Sequence, residues 1–70
     1  MKKLSQEEIN DVIELANEMR LKDIEMRSGQ SFFNALHTLY PDVANEIRTT
    51  DNDPFYINER IGKCIDFIRK

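Results

Sequence analysis

The chain has no tryptophan, one cysteine, one histidine, two glycines and two prolines in 70 residues. A single cysteine, Cys64, excludes an intrachain disulfide framework, and Cys64 with His37 falls short of the four ligands of a structural zinc site. Two separated glycines leave no glycine-rich loop able to cradle a phosphate. No apolar run approaches the roughly 18 residues of a transmembrane helix. Met1-Lys2-Lys3 is followed by Leu4-Ser5-Gln6-Glu7-Glu8 where a signal peptide would need a continuous apolar stretch, so the expected location is the cytoplasm. Basic charge is also scarce. The formal net charge is −3, and residues 1–27 and 28–70 are each slightly acidic, so neither half offers the clustered Lys and Arg that phosphate-backbone affinity requires.

What is present suffices for one small folded domain. A hydrophobic share of 40% with 33% charged residues is ordinary globular usage and too apolar for a solvated, disordered acidic chain. A single core of this size rarely supplies more than about 3–5 kcal/mol of net stability, and with disulfides and zinc excluded, the remaining staple is oligomerisation or docking on a partner.

Residues 5–26 contain no Gly, Pro or aromatic, and Ile9, Val12, Ile13, Ala16 and Met19 recur at spacings of three or four. This is the stripe of an amphipathic helix. Ser5 and Glu8 form an S-x-x-E capping box at its start. Beyond Met19 the apolar positions Leu21, Ile24 and Met26 leave the stripe, which predicts a kink or a second packing surface. Ser28-Gly29 reads as punctuation, with Gly29 in the left-handed position that ends a helix. A second helix is predicted over 30–40 through Phe32, Phe33, Ala35, Leu36 and Leu39. Pro41 ends it and opens a third helix to about residue 48, burying Val43, Ala44 and Ile47.

Residues 49–54 form the clearest loop, followed by Phe55 and Tyr56 as an aromatic plug on a turn capped by Asp53. A last helix from residue 58 carries Ile61, Cys64, Ile65 and Ile68 on one face. No segment alternates with period two. The expected fold is therefore all-α, a bundle of three to four helices with a long N-terminal helix. Every aromatic lies after residue 31, which divides the single domain 1–70 into an N-terminal helical arm, 1–27, and a compact nucleus, 28–70.

The run Met26-Arg27-Ser28-Gly29-Gln30-Ser31-Phe32-Phe33-Asn34-Ala35-Leu36, with Pro41-Asp42, Ile47-Arg48-Thr49-Thr50 and Asp53-Pro54-Phe55-Tyr56, resembles a family of short uncharacterised bacterial and phage proteins. Its pattern is R-x-G-Q, F-N-A-L, a P-D helix and a D-P-F-Y turn before a last helix. The resemblance covers residues 26–70 and makes residues 1–25 an extension. It implies a fold unit and a phage or mobile-element setting, and it assigns no catalytic residue.

Three constellations are candidates for function. Gln30, Asn34 and His37 lie at i, i+4 and i+7, a polar line on a largely apolar helix. Its amides could recognise a backbone or a small polar ligand; the plainer reading is a solvated face, or a pair of amides that tie down the loop at 51–53. The stripe Ile9, Val12, Ile13, Ala16, Met19 is either core or a face that zips to a second copy or a partner. Arg48, Arg60 and Lys63 could converge on nucleic acid.

His37 lacks a visible orienting partner, Cys64 sits on an apolar stripe, and Asp51-Asn52-Asp53 fails the EF-hand pattern because Tyr56 and Gly62 occupy its sixth and twelfth positions. The residues thus imply no catalytic group, no metal and no cofactor. The expected function is a small protein-interaction module of phage or mobile-element type that binds a host protein or a second copy of itself. The alternative is a nucleic-acid-associated regulator using the 30–70 helices.

Overall fold

The Ser5–Glu8 capping box opens the first helix as the sequence predicts. In the computed structural model, which describes residues 2–70, Ser5 Oγ accepts from Glu8 N–H at 3.1 Å and Glu8 Oε1 accepts from Ser5 N–H at 2.9 Å. The elements run α1 Gln6–Lys22, α2 Ser28–Leu39, α3 Pro41–Ile47, then a 3-10 turn Asn58–Arg60 leading into α4 Ile61–Ile68. The fold is an all-α bundle with a long N-terminal helix, and the described residues include no strand beyond a single isolated bridge.

Helix α1 does not kink after Met19; it stops. Asp23 Oδ1 accepts from Glu25 N–H at 3.1 Å and Asp23 O from Met26 N–H at 3.1 Å, so a local turn takes the bonds that would have continued the helix. Of the residues off the stripe, Leu21 and Ile24 are consequently 82% and 87% exposed, while Met26, beyond the helix, is half-buried. The stripe itself is core. Ile9, Val12 and Ala16 are buried with Leu36, Ala35 and Phe32 of α2, while Met19 packs at the edge and Ile13 is exposed. The radius of gyration, 10.8 Å, matches the roughly 11 Å of a compact chain of this length, so α1 lies against the other helices rather than projecting from them.

Two departures from the sequence reading set the architecture. Gly29 does not end a helix in a left-handed conformation; it lies in the first turn of α2, which begins at Ser28 rather than at residue 30. It is glycine because the chain approaches closely there: a Cβ at position 29 would stand 1.9 Å from the backbone carbonyl oxygen of Pro54. The N-cap of α2, Arg27, makes no side-chain cap bond. Asn58, 29 residues away, supplies it, its Oδ1 accepting from Gly29 N–H at 2.9 Å. Pro54 is fully buried in this contact.

The second departure joins the termini. Leu4 N–H donates to Ile68 O at 2.7 Å and Lys70 N–H donates to Leu4 O at 2.9 Å, which holds a fully buried Leu4 against the end of α4. Helix α3 follows Pro41 as predicted and buries Val43, Ala44 and Ile47. Helix α4 buries Cys64 and Ile68 and keeps Ile61 and Ile65 half-buried.

The two glycines should respond to alanine with opposite signs. Gly29→Ala must push Pro54 away and should cost about 1–3 kcal/mol. Gly62, in α4 with open space at its Cβ position, should gain about 0.5–1 kcal/mol from the same change. Thermal melts of the two variants check both signs.

Acid titration tests the α1 cap. The Ser5 backbone N–H, and to a lesser degree the Lys2 ammonium at 3.5 Å, hold the Glu8 carboxyl below its ordinary 4.5 against a smaller opposing effect of desolvation. A folded-state pKa that is depressed adds stability above the unfolded value and loses it as pH falls through the folded one. Urea unfolding followed from neutral pH downward should therefore show a loss beginning below 4.5 that is smaller in Glu8→Gln.

Candidate functional site

A cleft of about 350 Å³ lies between α2 and the segment that links α3 to the 3-10 turn. Helix α2 contributes Phe33, Asn34 and His37, neighbours on successive turns. The end of α3 contributes Arg48 and Thr49, and the connecting loop contributes Asp53, Phe55 and Tyr56.

Aromatic packing forms its floor and one wall. Phe33 is buried, with the Phe55 ring edge-on at 5.8 Å, and Tyr56 stands edge-on to Phe55 at 4.7 Å. The His37 ring lies near-parallel to Phe33 at 6.3 Å, and the Arg48 guanidinium sits 5.6 Å from the Phe33 centroid. Arg27 braces the wall from behind, donating from Nη2 to Phe55 O at 3.0 Å and lying 5.6 Å from the Tyr56 ring. The expected aromatic plug is thus half realised. Phe55 packs inward, but Tyr56 is 79% exposed, an amphipathic ring facing water.

The loop is held by one carboxylate. Asp53 Oδ2 accepts from Thr49 N–H at 2.8 Å and Oδ1 accepts from Phe55 N–H at 2.9 Å, so one side chain clamps both ends of the turn. Thr50 Oγ1 donates to Ile47 O at 2.6 Å and accepts from Asn52 N–H at 3.2 Å. Inside this clamp Thr49 adopts φ 64°, the left-handed region that β-branched residues rarely occupy. Residues in such conformations cost about 1–3 kcal/mol and persist where the surroundings over-determine them, commonly at functional sites.

The polar line divides. Asn34 and His37 reach the cleft, while Gln30 does not line it. The amides of Gln30 and Asn34 do not tie down the 51–53 loop. Asp53 and Thr50 do that, and neither amide bonds within the described residues. Of the basic residues, Arg48 lines the cleft and Arg60 lines an adjoining groove that shares Thr49, Asp53 and Tyr56 with it. Lys63 is exposed on α4 and lines neither. Ile9, Val12 and Ala16 are covered by the chain's own core and present no surface to a partner.

Cys64 is fully buried, and burial, with a lesser effect of the Asp53 charge, pushes its thiol up to about 12. It is a small apolar core residue and does not line the cleft that holds His37.

Asp53 caps the turn at Phe55 as the sequence predicts; sequence reasoning missed the left-handed Thr49 and the second hold of Asp53 on its N–H. A signal for both was present: the stretch Thr49-Thr50-Asp51-Asn52-Asp53-Pro54 must reverse direction without a glycine, so a residue with a side chain has to take the left-handed conformation and a local carboxylate has to hold it.

Compared with protein-family models, curated proteins and solved structures, the chain finds no match. Among the described residues no helix is long and apolar enough to cross a membrane.

The strain at position 49 is measurable. Thr49→Asn or Thr49→Gly, residues at ease at positive φ, should raise stability by about 1 kcal/mol in denaturant unfolding. An unchanged or lowered midpoint would mean that the Thr49 side chain itself compensates its backbone.

Proposed function

We propose that the chain is a non-catalytic helical protein-interaction module of phage or mobile-element type, and that it docks on a host protein or a second copy of itself through the cleft between α2 and the 49–56 segment. The observation that carries this reading is the outward Tyr56, held against Phe55 and braced by Arg27 beside a cleft whose Asn34 amide and Arg48 guanidinium have no hydrogen-bond partner among the described residues. Tyr and Arg dominate binding energy at interfaces because each combines apolar area with directed donors. A ring braced facing water is placed for another molecule.

The setting in phage or mobile elements follows from the R-x-G-Q, F-N-A-L and D-P-F-Y pattern alone. The nucleic-acid alternative draws on the shared rim of Arg48 and Arg60. It is the weaker reading, since the net charge is −3 and Lys63 stands apart; phosphate contacts need several cations on one face.

Capture experiments with the full chain test the proposal. Tyr56→Ala and Asn34→Ala should leave the helical signal and the melt nearly unchanged, because neither side chain is buried or bonded internally. Tyr56→Ala should weaken retention of the captured protein by about 2 kcal/mol. A partner held equally by wild type and both variants, or a large loss of melting temperature in Asn34→Ala with undiminished capture, would remove the cleft from the interface.

A further inference from the structure

We infer that the cleft recognises a carboxylate on an extended peptide segment, with an apolar or aromatic side chain next to that carboxylate. This rests on the docking reading above and names the chemistry of the partner.

The cleft holds one guanidinium whose donors are free among the described residues. Its single carboxylate, Asp53, has one oxygen on Thr49 N–H and the other on Phe55 N–H, so both oxygens are engaged by the loop backbone. The Arg48 guanidinium makes no hydrogen bond within the described residues, and the ion pairs found there, Lys2 with Glu8 and Asp66 with Arg69, do not involve it. The guanidinium lies over the Phe33 ring, its carbon 5.6 Å from the centroid, a cation–π placement that uses none of its N–H donors. An unpaired guanidinium in a chain of net charge −3 is complementary to an anion that the rest of the surface repels.

The donor set favours a carboxylate over a phosphate. A fork of two parallel N–H groups matches the two oxygens of a carboxylate. A phosphate needs additional donors, typically backbone N–H groups of a nest or a helix start. Here the loop N–H groups of Thr49 and Phe55 are consumed by Asp53, and the Gly29 N–H at the start of α2 is taken by Asn58. Arg48 is left with one side of one anion to satisfy.

The remaining features fit a peptide. The Asn34 amide offers one donor and one acceptor side by side, the pattern complementary to a peptide unit in an extended strand. The Phe55 and Tyr56 rings, inclined at 66° to one another, give a neighbouring apolar side chain a face and an edge to pack on. A volume near 350 Å³ is at the small end of ligand pockets, room for a pair of side chains.

The test uses the full chain and immobilised synthetic peptides. One arm places Asp or Glu beside Phe or Leu inside a capped peptide, against the matching Asn or Gln peptides. A second arm places the same apolar residue at a free C-terminal carboxylate, against its amide. At low ionic strength the wild type should retain the acid member of at least one arm about tenfold better than its amide, and the arm that responds identifies the source of the carboxylate. Arg48→Gln should bring that ratio to near one and Arg48→Lys to an intermediate value, both with unchanged helical signal. Tyr56→Ala should weaken acid and amide peptides alike.

A wild-type ratio near one, a ratio that survives Arg48→Gln, or displacement of the acid peptides by equimolar inorganic phosphate would overturn the inference. The captured partner separates this from the docking reading. Loss of capture in Tyr56→Ala with full capture in Arg48→Gln sinks the carboxylate inference and leaves the docking reading standing, whereas full capture in both sinks the two together.

Discussion

The missing side chain at Gly29 is the constraint on which the rest of this small fold depends. Because no Cβ is there, the Pro54 carbonyl can lie against the first turn of α2, and because it lies there, Asn58 is in position to accept the Gly29 N–H. The pairing solves two problems together. A helix whose own N-cap is an arginine with no capping bond gains an acceptor, and a segment without regular structure gains a fixed anchor. Residues on either side inherit their places. Phe55 is set edge-on to Phe33, and the 3-10 turn at Asn58–Arg60 leads directly into α4, whose end meets Leu4. The cleft is the space left where the anchored segment diverges from α2.

Legibility in the sequence tracked the range of the interaction. The α1 start, the Pro41 junction and the apolar faces of α3 and α4 are written in patterns a few residues long, and the structure has them where those patterns put them. The end of α1 was misjudged because Asp23 competes for the backbone through a turn only its side chain reveals. Gly29 was misjudged for a different reason. A glycine after a helical stretch has two physical uses, positive φ or close approach, and only the partner 25 residues away decides between them. The candidate site shared both fates: Asn34 and His37 were identifiable from spacing, while their meeting with Arg48, Thr49 and Tyr56 required the loop to be folded.

The composition implied a thin core in need of reinforcement, and two long-range ties answer that need within the chain. One joins Leu4 to Ile68 and Lys70, the other joins Gly29 to Pro54 and Asn58. The first closes the ends of the bundle; the second closes its middle. Between them lies the strained Thr49, held by Asp53. A domain with little stability to spare keeps an unfavourable backbone conformation and an exposed tyrosine at one place, and that place is the cleft.

The amide proton of Gly29 reports on the central contact directly. In an ordinary second helical position it would have no intrahelical acceptor and would exchange with solvent almost freely. If the segment carrying Pro54 and Asn58 is anchored as described, native-state hydrogen exchange should find Gly29 protected to the same degree as the core amide of Leu36, with that protection lost in Asn58→Ala while Leu36 stays protected. A Gly29 amide that exchanges at the rate of an open loop in the wild-type chain would contradict the account.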